Sequence, residues 1–266
     1  MRLSLPTAMQ SRLKDKWVLI TGASSGFGAA AAKAFAAEGA KLLLGARRTE
    51  KLADVAKQAL TLGAAAAESR ALDVSQTQSV NDFADWARQT AGQVDVLINN
   101  AGGAHGLDTV AQGKDEDWEA MLQTNVLGVL RMTRAVLPLM PHHAGSTIIN
   151  IGSIAGHVAY EGGSAYCAAK AGELQITRVL RLELNGTGIR VSTVDPGAAE
   201  TEFSMVRFKG DAERARKVYE GMTPLSAEDV AEILVWIASR PPHVNIDELL
   251  VKPTDQAAMH KIYRRS

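Results

Sequence analysis

Three side chains in this 266-residue chain have the types and spacing of a proton-transfer device. Tyr166 and Lys170 stand four apart in Ser164-Ala-Tyr-Cys-Ala-Ala-Lys170, and Ser153 lies thirteen residues upstream. A free phenol has a pKa of about 10 and is a poor base at neutral pH. A nearby positive charge stabilises the phenolate and lowers that value. On a helix, residues i and i+4 share a face, so Lys170 falls beside Tyr166. Ser153 follows the apolar run Thr147 to Ile151. That places it at the carboxyl edge of a strand, where open α/β sheets bind ligands and where its hydroxyl can hold a reacting oxygen. A Tyr-x-x-x-Lys pair alone is more simply one face of an amphipathic helix, so the reading needs a second motif.

That motif is Thr21-Gly-Ala-Ser-Ser-Gly-Phe-Gly28. Gly22, Gly26 and Gly28 lie between a strand and a helix. They allow a tight turn and let backbone N–H groups approach a pyrophosphate, with Ser24, Ser25 and Phe27 in the same cradle. The plainer alternative, a tight turn with no ligand, is weakened by its position after the first strand of an alternating chain. The next strand ends in Gly45-Ala-Arg-Arg48, with no carboxylate to bind ribose hydroxyls. The guanidiniums of Arg47 and Arg48 suit the 2′-phosphate of NADP(H). A solvated basic turn is the alternative.

These residues need a scaffold. Strands are expected at 17–20, 41–46, leading into 71–74, at 94–99, 147–151, 190–194 and 248–251. Helices are expected at 29–38, from a Thr49 cap to about 62, from a Ser75 cap through 86, at 118–139, 163–184, and from a Ser226 cap to 238. Near-continuous apolar strands alternating with helices predict a parallel sheet covered on both faces. The expected fold is α/β: a single-domain, doubly wound Rossmann sheet of about seven strands. Within that domain, 1–14 reads as an N-terminal extension and 252–266 as a tail. The charged stretch 198–224 reads as a lid over the substrate.

Bulk properties narrow the function. Lys plus Arg equals Asp plus Glu at 29 each, so no net field draws nucleic acid or anionic membrane. Cys167 is the one cysteine, which rules out an intrachain disulfide and suits a reducing cytoplasm. Met1 to Gln10 is too polar for a signal peptide, and no apolar run reaches membrane-span length. A cytoplasmic protein is expected. No His, Asp, Glu or Cys cluster has metal-ligand spacing. His142 and His143 are a loop pair. Glu161 and His105 are candidates for the pocket mouth. Trp86, Trp118, Trp236 and Phe35 fit amphipathic patterns and are expected in the core.

As a set, Thr21-Gly22 with Gly26 and Gly28, Asp73, Asn99-Asn-Ala-Gly102, Asn125, Ser153, Tyr166, Lys170 and Pro196-Gly197 resemble the short-chain dehydrogenase/reductase family over nearly the whole chain. The resemblance implies strand order 3-2-1-4-5-6-7. It implies that Asp73 and Val74 flank an adenine. Asn99-Asn-Ala-Gly102 then stabilises the central strand and borders the cofactor, through Asn99, Ala101 and Gly102, as do Pro196 and Gly197. Asn125 would hold a water in a relay with Lys170, and Thr201 would touch the nicotinamide carboxamide. It also implies a homotetramer, with the tail joining the assembly. Thr201-Glu-Phe-Ser, Val206 to Asp211 and Pro242 to Ile246 resemble the NADP-dependent serine/3-hydroxy acid dehydrogenase group. The tail Lys252-Pro-Thr-Asp-Gln256 is similar to related aldehyde reductases. The interval from Gly197 to Thr201 is shorter than in the hydroxy-acid group.

The expected activity is therefore NADP(H)-linked interconversion of a small 3-hydroxy acid or serine-like alcohol and its carbonyl form. Ser153 and Tyr166 would touch the substrate, and Arg207 would take its carboxylate. A broader reductase of larger aldehydes and ketones is the alternative, and a non-catalytic NADP-binding regulator is the rival from another class.

Overall fold

The computed structural model describes residues 12–265. The first eleven residues of the expected extension lie outside that range. Seven parallel strands form one sheet: β1 (Trp17–Thr21), β2 (Lys41–Ala46), β3 (Ala66–Ala71), β4 (Val96–Asn99), β5 (Thr147–Ile151), β6 (Arg190–Pro196) and β7 (Glu248–Val251). Their order is β3-β2-β1-β4-β5-β6-β7, as the resemblance implied. Side chains alternate across a strand. Val18, Ile20, Leu42, Leu44, Val96 and Ile98 therefore pack into one core layer, under helices α1 (Gly26–Ala37), α2 (Thr49–Thr61) and α9 (Ala227–Ala238). Leu19, Leu43, Leu97 and Ile148 face the opposite layer. There lie α3 (Thr77–Ala91), α5 (Gly128–Val136) and α6 (Ser164–Glu183). Small residues on α1, namely Ala30, Ala31, Ala32 and Ala36, let it seat closely against α9 and the sheet.

The ends of the helices hold some departures from expectation. Ser226 caps α9 in a full capping box: its Oγ accepts from Asp229 N, and Asp229 Oδ2 accepts from Ser226 N. Thr49 is not a cap; it is the first helical residue of α2, after Arg48. Ser75 is not a cap either. Its hydroxyl donates to Asp73 Oδ1 at 2.7 Å, and α3 starts two residues later. Trp236 is 42 % exposed rather than core, with the Arg240 guanidinium stacked 4.7 Å from its ring.

The helix expected over 118–139 is interrupted. It runs as α4 (Asp115–Leu122), a π-helical turn (Gln123–Leu127), α5, and a 3-10 turn (Leu137–Leu139) around Pro138. The cause of the π turn lies in Asn125. Its Nδ2 donates to Met121 O at 2.8 Å, competing for the carbonyl that an α-helix would offer to the backbone N–H of residue 125. The charged stretch 198–224 forms α7 (Phe203–Arg207) and α8 (Ala212–Tyr219). The tail adds a small antiparallel pair, β8 (Gln256–Ala258) and β9 (Lys261–Ile262).

Candidate active site

The carboxyl ends of β1, β2, β4, β5 and β6 open into a cavity of about 720 Å³. The Tyr166 face of α6 forms one wall. A ladder of buried amides and hydroxyls fixes that helix to the sheet. Asn99 Nδ2 donates to Thr133 Oγ1 and to Asn150 Oδ1, Asn150 Nδ2 donates to Thr177 Oγ1, and Thr177 Oγ1 donates to Glu173 O. Asn99 is thus a brace between β4 and β5, away from the cavity wall. Its neighbour Asn100 does the work at the cradle: its Nδ2 donates to the carbonyls of Thr21 and Gly22. The sequence placed the whole Asn-Asn-Ala-Gly motif at the strand and the cofactor border without singling out Asn100.

The glycines have separate tasks. Gly22 has φ +66°, a conformation that favours glycine, and a Cβ there would meet Ala101 and Asn100 at 2.9 Å. Gly28 does not reach the cavity. A Cβ on it would strike Asn100 and the Gly22 carbonyl, so it lets the start of α1 pack against the turn. Gly22, Ser24, Ser25, Gly26 and Phe27 form the cavity floor, and Asp73, Val74, Ala101, Gly102, Pro196 and Gly197 flank it. Thr201 reaches across, with its Cβ 3.5 Å from where a Gly26 Cβ would stand.

At the far end, Arg48 donates to Ser24 Oγ and Ser25 Oγ. Arg47 also lines the cavity. Lys51, one turn further along α2, joins Arg48 around a shared acceptor, the carboxylate of Glu202. Arg48 Nη1 lies 2.7 Å from Oε2 and Lys51 Nζ 2.8 Å from Oε1. Hydrogen bonds from Lys51 and then Arg48 pull the Glu202 pKa down to about 2. Lys51 was missed in the sequence, although i to i+3 spacing from Arg48 marks it. A dinucleotide with a 2′-phosphate fits this site: glycines leave room for a pyrophosphate, and two cations converge on one anion.

The reacting end is built around Tyr166, which is buried and has Phe203 of α7 tilted 5.6 Å away. Ser153 follows β5 and its Oγ accepts from Ala155 N at 3.1 Å, which fixes the side chain. Lys170 is buried and donates to Ile151 O at 2.6 Å and to Glu173 Oε2 at 2.7 Å. Burial alone would lower the Lys170 pKa, but the groups around it, Glu173 first and then Tyr166 and Asp195, more than offset that and Lys170 holds its charge. Asn125 lies behind the wall, with Oδ1 accepting from Gly103 N and Nδ2 donating to Gly103 O. A Cβ on Gly102 would sit 2.6 Å from Asn125 Oδ1 and 3.7 Å from Lys170 Nζ. A glycine there leaves these two groups facing the same small space.

Arg207 enters from α7. Its Nε donates to Gly106 O, its Nη2 donates to Tyr160 OH at 2.7 Å, and its guanidinium lies 5.3 Å from the Tyr160 ring and 5.7 Å from the Tyr166 ring. Among the described residues it has no carboxylate partner. Burial pushes the Tyr160 phenol up to about 12, with Arg207 pulling the other way, so Tyr160 stays neutral. Tyr160 is a second residue that sequence reasoning missed. Glu161 lines the cavity, whereas His105 faces a smaller depression beside Arg207. The tail covers its own chain: Gln256 Oε1 accepts from Ala198 N, Arg265 pairs with Asp255, and Met259 and Ile262 line the cavity. Among the described residues, no cluster of His, Cys, Asp or Glu could hold a metal ion.

A family model described as short chain dehydrogenase matches residues 16–212. The chain belongs to that family. A 3-hydroxy acid dehydrogenase of Schizosaccharomyces pombe, named as NADP-dependent, is 42 % identical over 256 residues, covering 96 % of this chain and 99 % of that protein. Sulfoacetaldehyde reductase 2 of Chromohalobacter salexigens is 43 % identical, covering 90 % and 95 %. Among solved structures, a closed form of serine dehydrogenase complexed with NADP+ superposes with a TM-score of 0.86 at 38 % identity, covering 94 % of this chain and all of that one.

Proposed function

We propose that this chain reduces the carbonyl of a small anionic aldehyde or oxo acid, and oxidises the matching hydroxy acid in reverse. It is an NADP(H)-dependent oxidoreductase acting on CH–OH groups of small molecules. The finer statement rests on Arg207. A guanidinium beside the catalytic tyrosine, with no carboxylate of its own, suits a substrate that brings one, or a sulfonate. The 3-hydroxy acid and sulfoacetaldehyde enzymes among its relatives act on anions of this size.

A nicotinamide cofactor, when bound in this cradle, would supply the hydride. The chain's own groups do the rest. The Ser24-Ser25-Gly26 turn and the start of α1 hold the pyrophosphate, and Arg48 with Lys51 takes the 2′-phosphate. Ser153 donates a hydrogen bond to the carbonyl oxygen and stabilises the charge that grows there. Tyr166 gives that oxygen its proton. Lys170 favours the phenolate left behind. Asn125, facing Lys170 across Gly102, holds the water that returns the proton. Phe203 and Met259 exclude other water.

The enzyme works as an assembly of copies in a reducing cytoplasm. Support for the assembly comes from exposed apolar residues on neighbouring helices: Leu122 on α4, Leu127 and Leu130 beyond it, and Val179 and Leu182 on α6, the last two 48 % and 78 % exposed. The test of the activity is NADPH consumption with short anionic semialdehydes against uncharged aldehydes of equal length. Preference for the anion, lost in Arg207→Ala, supports the reading. Equal rates on both, unchanged by that substitution, remove the anionic substrate.

A further inference from the structure

Behind Lys170 lies a carboxylate for which the reaction above has no use. Glu173 sits one turn further along α6, is 1 % exposed, and holds Lys170 Nζ at 2.7 Å through Oε2. Its Oε1 has no hydrogen-bond partner among the described residues. Burying a carboxylate with half its acceptors unmet costs free energy that an aliphatic side chain at this position would not. A lysine that served only to bind cofactor hydroxyls and favour a phenolate would be weakened by such a neighbour, because an adjacent anion cancels part of its field.

The other groups around the pair can be named element by element. Tyr166 lies on the same helix. The loop after β5 brings Ile151 O, which accepts from Lys170, and then Gly152, where a Cβ would strike Asp195 Oδ1. Asp195, on β6, stands beside Gly152, and its charge is felt at both Lys170 and Glu173. It is already satisfied by Thr193 Oγ1 and by the half-buried His157, 2.8 Å from its Oδ2. The π turn presents Asn125, which is neutral. From the lid, Arg207 holds its guanidinium 5.7 Å from the Tyr166 ring. Glu173 is therefore the carboxylate in direct contact with the lysine.

Resting on the reductase reading, we propose that Glu173 is a positioning residue of the proton-transfer device: its carboxylate offsets the Lys170 ammonium, and its protonation state sets the pH range over which Tyr166 gives up and regains its proton. Ionised Glu173 leaves Tyr166 facing a nearly neutral pair, so the phenol keeps its proton, as carbonyl reduction requires. Neutral Glu173 exposes Tyr166 to the full lysine charge and favours the phenolate, the base that alcohol oxidation requires. Burial pushes the Glu173 carboxyl well above the ordinary carboxylate range, Lys170 pulls it down, and the nearby Asp195 charge adds to the rise. No proton has to pass through Glu173 for this to operate.

The experiment is the pH profile of kcat/KM for alcohol oxidation, from about pH 5 to 10, for the parent and for Glu173→Gln. Glutamine keeps the shape and cannot ionise. The rising limb, from Tyr166, is expected to move down by about one pH unit. In the parent Lys170 keeps its charge across this range, and a falling limb from Lys170 stripped of its counter-charge is expected to enter the range only in the variant. NADPH affinity, read by fluorescence, stays within about twofold. Limbs that superimpose above a lower plateau, or that move up, overturn the proposal and leave Glu173 a structural residue. A second measurement stands if the variant does not fold. In infrared titration of the unmodified enzyme with 13C-labelled glutamate, a protonated glutamate band is expected to fade with a midpoint near neutral pH. The label separates it from Asp195. No such band above about pH 5.5 overturns the proposal, since exposed glutamates are ionised there. A parent that turns over no carbonyl removes the reductase reading instead, and the infrared result still decides the state of Glu173.

Discussion

Arg48 shows how a residue can be legible by type and still be incomplete alone. Its guanidinium reaches Ser24, Ser25 and Glu202, and Lys51 closes the other side of the same carboxylate. In the structure Glu202 takes the bonds that a 2′-phosphate needs, so the two anions compete. Glu202→Gln is expected to tighten NADPH binding severalfold in a fluorescence titration, because an amide is a weaker acceptor for two cations. Unchanged affinity would mean that the phosphate does not displace it. Arg48→Ala with Lys51→Ala is expected to lower the kcat/KM ratio of NADP+ to NAD+ by at least about tenfold, the loss of two charge-assisted contacts. An unchanged ratio moves the discriminator elsewhere. At the other end, Arg207→Ala is expected to raise KM for an anionic carbonyl about tenfold or more and to change an uncharged one little. Equal losses on both would assign Arg207 to the lid through Tyr160 and Gly106.

Among the elements, α6 carries the chemistry and the amide ladder holds it in place. Thr177→Val removes the acceptor for Asn150 Nδ2 and leaves a buried donor unpaired. A loss of about 1–3 kcal/mol is expected from urea denaturation. A change below about 0.5 kcal/mol would mean that the ladder positions nothing. Such elements were largely legible in the sequence, because buried parallel strands are continuous apolar runs: β2, β5 and β7 have the boundaries expected from their residues. What was illegible depended on tertiary partners. The π turn arises because Asn125 bonds both Met121 O and Gly103, and the second contact is set by a loop distant in sequence. The cap at Ser75 failed because Asp73 took its hydroxyl. Tyr160 carries no motif, and only the fold brings it to Arg207; Lys51 is a sequence neighbour of Arg48, but only the fold shows that both meet at Glu202.

For the molecule as a whole, one sheet edge gathers the site while the far sides of α4, α5 and α6 leave apolar groups in water. A second copy covering Leu122, Leu130, Val179 and Leu182 would resolve that exposure. Light scattering at micromolar concentration is expected to show an oligomer, and Leu182→Glu to shift it toward monomer. A monomeric parent would leave the patch unexplained and remove the assembly. The central claim is that Tyr166 moves the proton while the cradle binds cofactor independently. Its most direct measurement pairs NADPH binding with turnover of a short anionic semialdehyde in the parent and in Tyr166→Phe. The account predicts a Kd within about twofold of the parent and turnover lowered by about a hundredfold or more. A variant that keeps most of its turnover would contradict it.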